Sequence, residues 1–218
     1  MANEENEKCP VDHEARKAWL NGGEGCPVDH TKMTEACSST RSDQQTVGKG
    51  VNPSTGLSLE REVSSIPRSD TSGNWVYPSQ QQFFDAMKRK NFDPNAQDMQ
   101  TIIPIHNAVN ERAWMEIMKW EQDQGGERCG GPKLVRFQGD SSKLTPTARW
   151  NMFMGKQKPF DRHDWLVDRC GTQVEYVIDF YSGKPNPINP DMPSFYLDAR
   201  PKLNSLEGFR MRLAGMFK

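Results

Sequence analysis

Of the twenty aromatic residues in this chain, only Trp19 falls within positions 1–70; the other nineteen are crowded into 71–218. A segment with almost no aromatic residues, and rich in Ser, Thr, Gly, Asn and Glu, cannot bury enough apolar surface to offset the entropy of ordering its backbone. Residues 1–70 are therefore expected to be disordered, and 71–218 to form one folded domain. Charge divides at the same place, with 12 acidic and 8 basic residues before position 71 and 17 and 20 after it. A stretch as long as the second buries about two-thirds of its unfolded surface on folding, enough for a single core. Its basic residues are spread out rather than striped, which argues against a nucleic-acid partner. No run of 18 apolar residues occurs, so no membrane-spanning helix is expected, and peripheral attachment is left open. The start, MANEENEKCP, is too acidic for a mitochondrial presequence and too polar for a secretory signal. Cys9, Cys26, Cys37, Cys129 and Cys170 are odd in number and scattered, a pattern that predicts reduced thiols.

Within the second stretch, NWVYPSQQQFFDAMKRK (74–90) places Ser79 ahead of a helix of about three turns with Lys88, Arg89 and Lys90 at its C-terminal end. IPIHNAVNERAWMEIMKWEQ (103–122) offers Asn107 as cap after Pro104, followed by Ala113, Trp114, Ile117, Met118 and Trp120 at helical spacing. KLVRFQG (133–139) alternates as a strand. LTPTARWNMFMG (144–155) has Thr145 as cap and Pro146 at the first helical position. The runs 163–171 and 172–183 are β-branched and aromatic, and read as an antiparallel pair turning at Gly171 and Thr172. KPNPINPDMPS (184–194) has four prolines and reads as an irregular connection. A last amphipathic helix follows Asn204 or Ser205. Helices and antiparallel strands without regular alternation predict an α+β domain of several helices and a small antiparallel sheet.

The N-terminal stretch repeats CPVDH at 9–13 and 26–30. A cysteine followed by proline suits ferric haem, since the thiolate ligates iron and proline removes a nearby amide donor. Two other readings stand beside it: a Cys2His2 zinc site from Cys9, His13, Cys26 and His30, or a duplicated linear motif read by a partner. In the second stretch only His106 and His163 carry imidazoles. At a helix start, His106 reads either as a cap or solvent-facing residue or, kept neutral by the positive end of the helix dipole, as one suited to a metal. His163, among Asp161, Arg162 and Asp164, reads better as a residue fixing a turn. Trp75, Tyr77 and Trp114 belong to an aromatic supply that could wall a flat cofactor. No phosphate loop, nucleophile elbow or HExxH is present.

Five blocks, NWVYPSQQQFFDAMKRK, IPIHNAVNERAWMEIMKWE, RFQGDSSKLTPTARW, PFDRHDWLVDRCGTQVEYVIDFYSG and LDARPKLNSLEGF, together with the CPV repeats, resemble the holocytochrome c synthase or cytochrome c haem lyase family. The resemblance runs almost continuously from about residue 75 to the end. It implies an enzyme of the mitochondrial intermembrane space, peripheral on the inner membrane. Such an enzyme attaches haem b to the CXXCH segment of apocytochrome c, apocytochrome c1 or both through thioethers. It further implies that His106 is an axial ligand of the haem iron. Glu111, His163 and Arg169 would support the site, and Cys9 and Cys26 would be mobile haem contacts. An alternative from a different class is a non-catalytic haem sensor or chaperone that uses the Cys-Pro pairs.

Overall fold

The computed structural model describes residues 50–139, 144–183 and 194–216. Within them lie two antiparallel sheets and four α-helices, the α+β class predicted. Strands β1 (Val63–Pro67) and β2 (Asn74–Val76) form a two-stranded ribbon. Strands β3 (Lys133–Gly139), β4 (Asp161–Arg169), β5 (Thr172–Ser182) and β6 (Phe195–Pro201) form an antiparallel sheet in sequence order. A single parallel bridge, Arg68 to Leu134, joins ribbon to sheet.

The helices are α1 (Gln80–Arg89), α2 (Ala96–Glu121), α3 (Pro146–Phe153) and α4 (Leu206–Gly215). Ser79 caps α1 with a reciprocal box, accepting from the Gln82 amide while Gln82 accepts from the Ser79 amide. Thr145 caps α3, with Pro146 opening it, and Ser205 caps α4.

Helix α2 begins eleven residues before the expected cap at Asn107. Asn95 is the cap, its Oδ1 accepting from the Gln97 amide at 3.0 Å, and Pro104 lies inside the helix. A proline there removes one helical hydrogen bond and costs about 3 kcal/mol. Met99 and Ile103, one turn apart, are buried with Phe84 and Leu57. Burying two such side chains contributes about 3–6 kcal/mol, enough to carry the helix through the proline.

The main core lies between the C-terminal half of α2 and one face of the sheet. Ala113, Trp114 and Ile117 meet Trp165, Val167, Val174, Tyr176, Ile178 and Phe180, with Ile66, Trp75 and Met211 at the margins. Even-numbered residues of β5 thus face α2. Its odd-numbered residues Val177, Asp179 and Tyr181 are also buried, on the other face, where Thr145 at the start of α3 bonds Asp179.

Three expectations are corrected. Positions 50–70 are not featureless: Leu57 and Ile66 are buried, and β1 lies in this segment. The low aromatic count missed them because their contribution is aliphatic. Next, the β4–β5 turn consists of Cys170 and Gly171, not Gly171 and Thr172. Both turn residues have positive φ, as a two-residue hairpin turn of the mirror-image type requires. Finally, Cys129 and Cys170 are not thiols but a disulfide, with Cα atoms 5.6 Å apart. A 3-10 turn after α2 brings Cys129 beside the hairpin tip, a proximity that spacing in sequence cannot report. Strand β6 was not anticipated, and the proline-rich connection lies, for residues 184–193, outside the described residues.

Ile66→Ala should lower the unfolding free energy of the full chain by about 2–5 kcal/mol, read by urea denaturation. A loss below about 0.5 kcal/mol, as for a surface position, would place this segment outside the cooperative fold.

Candidate functional site

On α2, the buried positions that end at Ile103 belong to the small cluster with α1, and those from Ala113 onward belong to the main core. Between them the helix turns polar residues inward, and His106, Asn107, Asn110 and Glu111 fall in this seam. His106 is half-buried, with Nδ1 3.4 Å from Asn110 Nδ2 and the ring meeting Phe83 edge-on at 5.7 Å. It lies in the third turn of α2, so the dipole argument that would have kept it neutral does not apply, because that effect fades within the first turn. What remains is an imidazole on a rigid helix, oriented by an amide and an aromatic edge.

One turn further on, Glu111 ties α2 to the ribbon. It accepts from the Ser65 amide at 3.1 Å, from the Ser65 hydroxyl, and from the Tyr77 hydroxyl at 2.9 Å. Burial and then the Glu111 carboxylate push the Tyr77 hydroxyl well above its ordinary pKa, so Tyr77 stays a proton donor to that carboxylate. Asn107 donates to Glu62 at 2.7 Å, while its own Oδ1 is buried without a partner. An acceptor buried without a partner costs about 1–3 kcal/mol.

The other predicted residues lie elsewhere. Trp75 and Trp114 are core residues, Trp75 packing edge-on against Phe137 with Arg68 over its face. His163 is in β4, with Nε2 3.3 Å from Asp161 Oδ2 and its ring against Phe180. Cys9 and Cys26 are outside the described residues. Arg169 ends β4. Its guanidinium is buried against Glu121, with Nε 2.5 Å from Oε2, and donates through Nη1 to Glu207 Oε1 at 2.7 Å. Burial alone would lower its pKa, but the two carboxylates outweigh that and raise it. Tyr176 donates to the second oxygen of Glu121 at 2.5 Å. Glu121 stands fifteen residues after His106 on one helix, about 22 Å of rise. Arg169 therefore anchors the far end of α2 rather than lining the His106 seam. Sequence reasoning missed Glu121 and Ser65, since only the fold brings positions 46–55 residues apart together; it also missed Asn110, which the four-residue helical spacing from His106 could have found.

Arg169→Ala should destabilise the fold by about 3–5 kcal/mol, because it leaves the Glu121 carboxylate buried and uncompensated. Combining it with Glu121→Leu should recover part of that loss in urea titrations; a simple sum of the two costs would contradict the coupling. A pH effect follows from Glu207, whose carboxyl is held down to about 2 from 4.5 by Arg210 and then Arg169, despite partial burial. A depressed carboxyl stabilises the fold above its unfolded pKa, and this contribution is lost as pH falls from 4.5 toward 2. The gap in unfolding midpoint between wild type and Glu207→Gln should therefore narrow across that window; a constant gap would count against it.

Comparison with known proteins places these residues in context. The cytochrome c/c1 heme lyase family matches residues 1–216. A Schizosaccharomyces pombe protein designated a holocytochrome-c1 synthase is 51% identical over 216 residues, covering 96% of this chain and 90% of its own length. The Homo sapiens holocytochrome c-type synthase is 48% identical over 165 residues, 72% of this chain and 61% of the relative. The Saccharomyces cerevisiae holocytochrome-c synthase is 34% identical, covering 94% and 84% of the two chains. No solved structure matches.

Proposed function

The chain belongs to the cytochrome c/c1 heme lyase family, and from that membership we propose that it attaches haem b covalently to apocytochrome c, apocytochrome c1 or both. The observation that carries this reading is the polar stretch of α2 between its two apolar clusters, which presents an oriented imidazole, His106, and, five residues on, the Glu111 carboxylate held by Tyr77. Haem here is a substrate. His106 supplies one axial ligand to its iron, and the incoming CXXCH segment brings the histidine for the other side together with two thiols.

Each thiol adds across a haem vinyl group: sulfur bonds one carbon, the thiol proton ends on the other, and no redox partner is consumed. The enzyme needs no nucleophile of its own, in keeping with a sequence that lacks the usual nucleophile motifs. Its contribution is positioning, for which effective molarities can reach about 10⁵ M or more. Glu111, held by Ser65 and Tyr77, keeps the ribbon against α2 so that His106 keeps its place beside Phe83. Cys9 and Cys26 serve as haem contacts that feed the domain. His163 and Arg169 support the sheet and the far end of α2.

Peripheral attachment to the inner mitochondrial membrane, on the intermembrane side, belongs to the same reading. Among the described residues no helix is long and apolar enough to cross a membrane.

His106→Ala should lower the yield of covalent holocytochrome by about a hundredfold. The thermal midpoint should change little, since a half-buried helical residue makes a small contribution to the core. Haem staining after denaturing electrophoresis of co-expressed apocytochrome reads the yield. Normal yield from the variant would overturn the role of His106. Haem binding by wild type without any thioether product would favour the sensor or chaperone.

A further inference from the structure

Helix α3 is fastened at one end and bare over most of the rest. Its cap, Thr145, donates from Oγ1 to Asp179 Oδ2 at 2.9 Å and accepts from Arg200 Nη2 at 2.8 Å, and Arg200 also pairs with Asp179. Asp179 and Arg200 are buried at 0% and 4% exposure. A fully buried ion pair thus pins the helix N-terminus to the back of the sheet, and Ala148 is the one residue of α3 that is itself buried.

Beyond that pin the side chains are large, apolar and open to solvent. Trp150 is 64% exposed, Met152 38%, Phe153 80% and Met154 62%. The Trp150 and Phe153 rings lie 5.8 Å apart and, with Pro146 and Arg149, line a shallow surface concavity. Every charged residue between 144 and 160 is basic: Arg149, Lys156 and Lys158, all exposed; the first acid is Asp161.

We propose that this face of α3, Trp150, Met152, Phe153 and Met154 with Arg149, Lys156 and Lys158 at its margin, is the surface that seats the protein on an anionic phospholipid bilayer. The proposal rests on the peripheral-attachment reading above and says where attachment occurs. Aromatic and methionine side chains enter the headgroup boundary while neighbouring cations meet lipid phosphates, and binding scales with both contributions. Charge selects the occupant: Arg149, Lys156 and Lys158 border the apolar side chains with no acid between 144 and 160, which complements lipid phosphates. The buried Thr145–Asp179–Arg200 pin keeps the apolar face from folding back onto the sheet.

The test is co-sedimentation of the full-length protein with phosphatidylcholine vesicles, with and without phosphatidylglycerol. Wild type should bind the anionic vesicles and release as salt rises. Replacing Trp150 and Phe153 together by Ser should weaken binding by at least about tenfold. Each of Arg149→Gln, Lys156→Gln and Lys158→Gln should weaken it by about fivefold, and these exposed sites leave the thermal midpoint unchanged. Wild type that binds no vesicle would refute peripheral attachment altogether. If wild type binds and the α3 variants bind equally, attachment survives and this placement fails, the more so if Leu206→Ser and Phe209→Ser on α4 abolish it. Variants that keep vesicle binding but lose apocytochrome affinity or self-association would assign the face to a polypeptide and overturn the proposal.

Discussion

A guanidinium buried in the protein interior sets the frame of this molecule. Arg169, at the end of β4, is satisfied by Glu121 at the end of α2 and Glu207 on α4, while Tyr176 on β5 donates to Glu121. The pair gives little net stability, because the desolvation of both ions offsets their attraction. What it supplies is a unique arrangement: four elements must meet at one point with every polar atom matched. The Cys129–Cys170 disulfide closes the chain one residue away from Arg169. With one end fixed in this way, α2 acts as a single rod that carries the fixed geometry about 22 Å to His106.

At that other end the demands reverse. The seam between the two apolar clusters is polar and half-open, with Asn107 Oδ1 buried without a hydrogen-bond partner among the described residues and the His106 imidazole set against Asn110 and Phe83. In the proposed function this seam takes in a large flat substrate and later releases it bound to a second protein, a task for which a tightly packed core is unsuited. The stiffness it needs comes from outside the seam, through the Glu111 links to Ser65 and Tyr77 and through the helix itself.

Local signals in the sequence were legible where local physics decides. Ser79, Thr145 and Ser205 cap the helices that follow them, and KLVRFQG is a strand at the positions its alternation predicts. The start of α2 was misread because Pro104 and Asn107 form a plausible helix entrance. Asn95 is an equally good one, and only tertiary burial of Met99 and Ile103 chooses between them. Strand β1 was hidden by averaging composition over seventy residues, and the disulfide by counting cysteines without their positions in space. His106 stood out for its chemistry, whereas the partners of Arg169 lie 48 and 38 residues away in the chain and left no local trace.

The central claim is that the His106 imidazole binds the haem iron, and the electronic absorption spectrum of the ferric haem complex tests it most directly. In the full-length protein without apocytochrome, His106→Cys should exchange imidazole for thiolate ligation and shift the Soret band, because axial-ligand identity sets the electronic character of the haem. An unchanged spectrum, with haem still bound at the same stoichiometry, would contradict the account and place the iron on another residue.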